Sequence, residues 1–365
     1  MSIAGSMSFP DSKPAEWSLD WPKAFGGSIG SAIFKQGPED FRVFEQLPFA
    51  PIGQGEHLFL QIEKIGQNTA WLARQLARMA EVPAMDVSYA GLKDRQGVTV
   101  QWFCLRIPGL PPEGEQEQWL QRLAELDGVR LLQAVRHDRK LRIGSLSGND
   151  FVIRLRDYQG DKAALETLLE RVRLQGVPNY FGDQRFGRDG HNLILAQKLF
   201  SGEIKLARER RGFALSAARS LLFNQGLAER VQAGNWCQLT DGDVLTFPNA
   251  ASLIYPNRRD DTVPERFARG DLINTGSLWG KGDLASEGCV AELEQAVADR
   301  YAVFARGLEA RDLKQERRTL VSQVRNFTWE WQGDDLVLGF SLQKGCYATA
   351  VLYELMDIRN PVEGE

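Results

Sequence analysis

The chain has 365 residues, 43% of them hydrophobic, and a formal net charge of −4, a composition typical of a globular protein long enough for two domains. No apolar run approaches the roughly 18 residues that a membrane span requires. The start of the chain lacks the basic-then-apolar pattern of a secretory signal. The four cysteines are far apart and form no CxxC pair, so we expect no zinc site and a reducing, cytoplasmic environment.

The first part of the chain alternates strand and helix patterns, and several connections are too short for the crossovers that parallel strands need. We therefore expect an α+β fold in which a mostly antiparallel sheet is flanked by helices. Asn68 or Thr69 is expected to cap the first helix. The patterns predict strands at 56–65, 98–109 and 150–157, paired strands within 128–144, and helices at 67–82, 119–128 and 161–176.

The composition changes near residue 178, where a segment rich in glycine and aromatic residues is followed by mostly helical patterns. Strand patterns return after about residue 317, which indicates a domain inserted into the first one. The residues before 30 are expected to form a flexible extension docked by Trp17 and Trp21. The later patterns predict a helix at 212–234, a hairpin at 239–247, irregular chain at 248–285, a hairpin at 327–342 and a helix at 346–357.

Basic residues are concentrated in a few segments rather than spread along the chain. The densest is "RLLQAVRHDRKLR" at 130–142, and glutamates dilute the cations at 205–211 and 311–318. A nearly neutral protein can bind nucleic acid when its cations lie on one face. The alternative interpretation of each segment is a solvated helix face.

A single acid, Asp94, lies between Lys93 and Arg95 in "AGLKDRQGVTVQW", residues 90–102, at the start of a predicted strand. Such a turn suits a surface ion pair, because one acid without a wider motif has no chemical specificity. It also suits a carboxylate that faces a bound substrate. The residues alone leave both interpretations open.

Three phenylalanines and one asparagine lie at strand ends or turns that are candidates for base recognition. The amide of Asn149 can donate and accept hydrogen bonds in one plane, and the rings of Phe41, Phe151 and Phe340 can stack on a base. The alternative is structural: the three rings would belong to the core, and the asparagine would form a turn.

Several blocks in order along the chain resemble the tRNA pseudouridine synthase D family. The resemblance extends from about residue 30 to about residue 357, and Gln343, Cys346 and Tyr353 depart from the family pattern. The blocks are "GPEDF", "AGLKDRQGVTVQWFCLRIPG", "RHDRKLRIGSLSGNDFVIRLR", "GVPNYFGDQRFGRDGHNL", "LSAARSLLFNQ" and "GCYATAVLYEL".

The resemblance implies isomerisation of uridine 13 of tRNA to pseudouridine, without cofactor or metal, by a V-shaped pair of domains. It implies an extension at 1–29, a catalytic domain at 30–176 and 318–365, and an inserted α+β domain at 177–317. The family's catalytic aspartate corresponds to Asp94, and we expect a monomer that binds tRNA. The implied substrate-pocket residues are Lys35, Phe41, Asn149, Phe151 and Phe340, and the candidates for phosphate contacts are Arg139, Lys140, Arg142, Arg185, Arg188 and Arg219.

A second interpretation is a non-catalytic protein that binds or chaperones structured RNA on the same scaffold. Basic segments and exposed rings would serve both proteins. The acid separates them, because a pure RNA-binding protein has no use for a carboxylate that faces RNA. A nucleotide-dependent enzyme is excluded, since the chain has neither a Walker motif nor a dinucleotide glycine fingerprint.

Overall fold

The computed structural model describes residues 17–109, 114–248, 250 and 252–359, and its chain divides into two compact units. The first unit contains Phe25–Asn179 and the chain from Ser322 onward, and the second contains the described residues up to Ala24 and Tyr180–Val321. The expected domain boundaries at 176 and 318 lie a few residues away. The catalytic role of the first unit stays a prediction.

The secondary structure alternates in the first unit and is mostly helical in the second. The strands are β1 (Ser31–Phe34), β2 (Phe41–Gln46), β3 (His57–Lys64), β4 (Val87–Tyr89), β5 (Val98–Arg106), β6 (Val129–His137), β7 (Gly148–Gln159), β8 (Val177–Pro178), β9 (Val244–Thr246), β10 (Leu253–Ile254), β11 (Ile273–Leu278), β12 (Glu316–Thr319), β13 (Val321–Ser322), β14 (Arg325–Gln332), β15 (Asp335–Gln343) and β16 (Asp357–Arg359). The helices are α1 (Thr69–Met79), α2 (Glu115–Ala124), α3 (Lys162–Gln175), α4 (His191–Phe200), α5 (Arg208–Gln232), α6 (Val263–Ala268), α7 (Gly288–Arg300), α8 (Ala302–Glu309) and α9 (Ala348–Leu355).

The first unit is built on one large sheet with the strand order β14-β15-β7-β2-β5-β3-β6; β1 pairs with β7 and β16, and β4 pairs with β5. The β1–β16 and β2–β5 pairs are parallel and the other pairs are antiparallel. The expected α+β fold with a mostly antiparallel sheet is therefore confirmed.

Helices pack against this sheet through two hydrophobic core clusters. Residues of β7 and β15 pack with α3 and α9, and residues of β3 and β5 pack with α1 and α2. Asn68 caps α1, since its side chain accepts hydrogen bonds from the amides of Ala70 and Trp71. The helix and its cap were both predicted and are confirmed.

The register of the sheet brings together residues that are distant in the sequence. On β2 and β7, Glu45 lies opposite Asn149 and Val43 lies opposite Phe151. On β15 and β7, Phe340 lies opposite Phe151. Because alternate residues on a strand face the same side and paired residues share a face, Asn149, Phe151 and Phe340 lie on one face of the sheet.

Four local predictions differ from the structure. Residues 128–144 contain one strand, β6 (Val129–His137), instead of a pair of strands, and β6 pairs with β3, which lies earlier in the chain. The α2 helix ends at Ala124, and Gly128 instead forms a tight turn beside the Ile65 carbonyl. Residues 239–247 form no hairpin, since β9 pairs with β10 and β11. The segment 248–285, expected to be irregular, contains β10, α6 and β11.

The second unit contains a sheet in the order β10-β9-β11-β12 together with α4–α8. Within it, Trp21 stacks on Tyr180 with ring centroids 5.7 Å apart, and Trp17 contacts Phe304 edge-on at 5.6 Å. The expected docking by these two tryptophans is confirmed, while the first 16 residues of the predicted extension lie outside the described residues. Within the described residues, every helix is too short or too polar to span a bilayer.

Candidate active site

The Asp94 turn is held in place mainly through its backbone. Lys64 is completely buried at the end of β3, and its ammonium donates to the Asp94 carbonyl at 3.1 Å and to the Gln67 carbonyl at 2.9 Å. Arg95 Nε donates to the Gly66 carbonyl at 2.8 Å. The turn is therefore clamped to the segment between β3 and α1, which limits its conformational freedom.

Interactions with the start of α1 and with β5 hold the other end of this loop. Thr69 Oγ1 accepts from the Lys93 amide at 3.2 Å and donates to Gln101 Oε1 at 3.0 Å. Gln101 Nε2 in turn donates to the Gly91 carbonyl at 2.5 Å. Thr69 and Gln101 are both buried, so these polar groups serve the loop rather than solvent.

The carboxylate of Asp94 is held ionised while it stays accessible. Burial tends to raise the pKa of Asp94, but hydrogen bonds from Lys35 and from the Gln96 and Arg95 amides outweigh burial and keep the pKa below its usual value. The Gln96 amide donates to Oδ1 at 3.1 Å, and Lys35 contacts Oδ2. The Asp94 side chain is still 35% exposed, so a substrate can reach the charged oxygens.

Lys35 reaches Asp94 from an unusual backbone conformation. Its φ of 58° lies in the left-handed region, which is costly for a residue with a side chain, and it directly follows β1. The ammonium lies 4.2 Å from the centre of the Phe41 ring. A strained lysine that contacts both the acid and an aromatic ring is typical of a functional site rather than of a turn.

Gly97 allows the Asp94 loop to approach Phe41. A Cβ atom on Gly97 would lie 2.6 Å from the Phe41 carbonyl oxygen and 2.8 Å from a ring carbon, which is closer than contact distance. A glycine at position 97 is therefore required for this packing. Lys35, Phe41 and Asp94 form one compact group as a result.

Phe151 and Phe340 lie deeper than the sequence-based substrate pocket implied. The two rings stack at 5.3 Å, and their residues are only 7% and 3% exposed within the core beside α3 and α9. Phe41 is partly buried and lies 6.1 Å from Phe151. Phe151 thus lies between Phe41 and Phe340, and contact of either buried ring with a base stays a prediction.

Asn149 joins the site through Lys93. Lys93 Nζ donates to Asn149 Oδ1 at 2.5 Å and lies 3.0 Å from Glu45 Oε2. The Glu45 side chain has no exposed surface, and the Trp102 amide donates to its Oε1 at 3.2 Å. Burial raises the pKa of Glu45, while Lys93 and the Trp102 amide oppose that shift.

Three of the predicted phosphate contacts lie on the loop between β6 and β7. Arg139 has an 85% exposed side chain with a distant partner in Asp138 at 3.8 Å. Arg142 is exposed as well, and Lys140 donates to the Met85 carbonyl at 2.7 Å from an exposed position. These cations are accessible to a polyanion, and their contact with RNA stays a prediction.

The three predicted contacts in the second unit differ from one another. Arg188 is 97% exposed. Arg185 donates to Ser216 Oγ at 2.8 Å and lies 5.2 Å from the Phe181 ring centre. Arg219 is unsuited to a phosphate contact: it donates to Glu316 and to the carbonyls of Trp279, Leu278 and Lys314, and its side chain is 15% exposed.

Four residues that organise the site were not predicted from the sequence. They are buried polar groups on β2, β3 and β5 and at the start of α1. A polar residue at an apolar position of a strand is the signal that could have identified them. They are Glu45, Lys64, Thr69 and Gln101.

No group of three histidine, cysteine, aspartate or glutamate side chains in the described part of the chain is arranged to hold a metal ion. The four cysteines carry free thiols. At the candidate site the structure brings together one ionised carboxylate with its lysine, an aromatic ring and an oriented amide.

Comparison with known proteins identifies the family. The model of the tRNA pseudouridine synthase D family matches residues 26–211 and 205–355. A tRNA pseudouridine synthase D from Nitrosococcus oceani is 42% identical over 344 residues, which cover 93% of this chain and 95% of the relative. One from Aeromonas salmonicida is 43% identical over 340 residues, covering 93% and 94%.

The fold also matches a crystal structure. A Methanosarcina mazei protein described as tRNA pseudouridine synthase D superimposes with a TM-score of 0.69 at 21% identity, covering 93% of this chain and 96% of that one. At this identity the match shows a shared fold. The family match and the relatives show more: this chain belongs to the tRNA pseudouridine synthase D family and is an isomerase of the pseudouridine synthase type.

Proposed function

We propose that this chain converts uridine 13 of tRNA to pseudouridine in the cytoplasm, with Asp94 as the catalytic carboxylate and without a cofactor. The observation that carries the proposal is the accessible, ionised carboxylate of Asp94, which Lys35 and two backbone amides stabilise beside Phe41. The choice of uridine 13 rests on the family resemblance.

The reaction breaks the bond between N1 of uracil and C1′ of ribose, turns the base and forms a bond between C5 and C1′. The C5 proton is lost and N1 gains one, so the product has the same atoms as the substrate and needs no redox partner. A carboxylate can assist by adding to C1′ or C6, or by removing a proton from C2′. An ionised Asp94 serves each of these routes.

The target nucleotide must leave its stack to reach the carboxylate, at a cost of a few kcal/mol. In the proposed complex the ring of Phe41 stacks on the base, and its strained neighbour Lys35 keeps Asp94 charged when RNA displaces water. Arg139, Lys140 and Arg142 contact phosphates nearby, with Arg185 and Arg188 as further candidates in the second unit.

The test replaces Asp94 with asparagine, which keeps the size of the side chain and removes its charge. We expect loss of pseudouridine formation by at least about a thousandfold, since the acid that performs the chemistry is gone. Tritium release from tRNA labelled at uracil C5 measures turnover, and primer-extension mapping identifies the modified position. Asp127→Asn, which removes an exposed carboxylate from a nearby turn, is the matched control.

Binding of tRNA by the Asp94→Asn protein separates the enzyme from the non-catalytic alternative. We expect affinity within a few-fold of wild type and no product. Pseudouridine formed by Asp94→Asn at the wild-type rate would contradict the catalytic assignment. Product at a uridine other than 13, in a tRNA that contains both, would contradict the assigned position.

A further inference from the structure

Lys93 contributes two groups to the site from one residue. Its amide donates to Thr69 Oγ1 at 3.2 Å, and its ammonium reaches into the sheet to Asn149 and Glu45. The next residue, Asp94, contacts Lys35 in turn. One dipeptide therefore connects the reactive carboxylate with the predicted base-reading amide.

The lysine determines which way the Asn149 amide points. An ammonium can only donate hydrogen bonds, so the atom that it contacts at 2.5 Å must be the amide oxygen. The NH₂ group of Asn149 is consequently directed away from Lys93. Among the described residues, no acceptor contacts that NH₂ group, and Asn149 is only partly buried.

The ion pair behind this contact is deeply buried. The Lys93 and Glu45 side chains are 8% and 0% exposed, and Glu45 lies directly opposite Asn149 on the neighbouring strand. Buried ion pairs are seldom the most stable solution, because removing both charges from water costs more than their attraction returns. A structural role alone would be served as well by apolar side chains, whereas orienting the Asn149 amide requires a hydrogen-bond donor at this position, which Lys93 supplies.

We propose that Lys93 and Glu45 are positioning residues that fix Asn149 as a hydrogen-bond donor to a carbonyl oxygen of the target uracil. This inference rests on the proposed function, and it assigns a direction to the contact. Uracil presents acceptors at O2 and O4, whereas cytosine replaces O4 by an amino group. A fixed donor facing O4 excludes cytosine, and one facing O2 contributes affinity without that exclusion.

The experiment measures binding to tRNA with uridine, 4-thiouridine or 2-thiouridine at the target position, since sulfur is a poor hydrogen-bond acceptor. Both the reference protein and its variants carry Asp94→Asn, so that no turnover disturbs the measurement. We expect the reference to lose about tenfold affinity for one of the two thio-tRNAs. When Lys93→Met is combined with Asp94→Asn, the sensitivity of binding to the sulfur substitution should disappear, because the Asn149 amide is then free to turn.

A second variant distinguishes orientation from a merely structural need for a partner. Asn149→Asp keeps an oxygen for Lys93 and removes the NH₂ donor. We expect it to bind uridine-containing tRNA as weakly as Asn149→Ala, about tenfold to a hundredfold below the reference. Tolerance of Asn149→Asp would overturn the inference, since it would show that Lys93 needs only an acceptor.

The controls distinguish an effect on amide orientation from a folding defect and from a failure of the proposed function. Lys162→Met removes a lysine that donates to the Gly333 carbonyl elsewhere in the same unit, and it should leave every affinity unchanged. Glu45→Gln preserves the shape of the pair, and it should weaken the thio-sensitivity even if Lys93→Met folds poorly. Equal thio-sensitivity of the reference and both variants overturns the inference, whereas turnover by Asp94→Asn overturns only the proposed function.

Discussion

Lys35 and Arg230 each contact an aspartate, yet the two cations leave their partners in different states. Lys35 contacts one oxygen of Asp94, whose side chain stays 35% exposed. Arg230, in the second unit, contacts both oxygens of Asp243, whose side chain has no exposed surface. The remaining donors of Arg230 bind the Asn235 carbonyl at 3.0 Å and Thr240 Oγ1 at 2.9 Å.

The difference shows that an aspartate paired with a cation can stay accessible in one place and be fully buried in another. Around Asp94 the backbone is held by buried groups while the carboxylate faces outward. Around Arg230 every charged atom is directed into the unit. Accessibility, rather than the presence of an ion pair, therefore separates the candidate active site from a structural pair.

The largest expected effect concerns the structural pair. Arg230→Met leaves Asp243 buried without its cation, and we expect a loss of about 3–5 kcal/mol in the free energy of unfolding. Urea denaturation measures it. Arg269→Met breaks an exposed pair with Glu265, and it should cost less than about 1 kcal/mol. Equal losses of unfolding free energy in the two variants would contradict the expected difference between the buried and the exposed ion pair.

Lys64 is a fully buried cation, and it also holds the Asp94 turn in place. Burial lowers the pKa of Lys64 to about 8, although Asp94 opposes the shift. The pKa of Lys64 in the unfolded chain is about 10.4. Between pH 8 and pH 10.4 the unfolded chain therefore binds one proton more than the folded chain. The free energy of unfolding of wild type should then rise with pH across this window, by roughly 2–3 kcal/mol relative to Lys64→Met.

Urea denaturation of wild type and Lys64→Met at several pH values from 7 to 10.5 measures this difference. At pH 7 wild type carries the full cost of burying the ammonium, and that cost is gone once Lys64 is neutral in both states. A difference between the two proteins that does not change with pH would show that Lys64 keeps the pKa of a solvated lysine when the chain is folded.

Lys35→Met tests the candidate active site itself. Removing the cation raises the pKa of Asp94, so the acid limb of the pH profile of kcat/KM should move to higher pH. The loss of a charged hydrogen bond, about 1.5–3 kcal/mol, should also lower kcat/KM by roughly tenfold to a hundredfold. Lys35→Arg should retain part of the activity that Lys35→Met loses. If the acid limb of Lys35→Met stays at the wild-type pH, Lys35 does not control the pKa of Asp94.

The smallest expected effects concern phosphate contacts. Arg139→Ala and Arg142→Ala should each reduce the slope of log affinity against log salt concentration by about 0.7–0.9. Arg219→Met should leave that slope unchanged, because its donors already bind carbonyl oxygens and Glu316. A titration of tRNA binding against salt measures all three, and a lower slope in Arg219→Met would reinstate it as a phosphate contact.

Local patterns predicted the regular parts of the first unit well. The strand over 56–65, the Asn68 cap and the hairpin turn at Gly333–Asp334 depend on residues close together in the sequence. The patterns failed at 128–144, where the pairing partner β3 lies far earlier in the chain, and at 239–247, where β9 pairs with β10 and β11 beyond the predicted segment. A strand pattern specifies its own extended form and does not name its neighbour.

The sequence by itself determined the α+β class and the family resemblance, and it indicated Asp94 as a candidate, because these depend on periodicity and on motifs carried within short segments. Only the tertiary structure decided that Phe151 and Phe340 are buried, and that Arg219 is hydrogen-bonded to Glu316 and to carbonyl oxygens. It also decided that Lys93 contacts both Glu45 and Asn149. These outcomes depend on strand register and burial. Register and burial arise from contacts between residues that are distant in sequence, and a residue's type alone does not fix them.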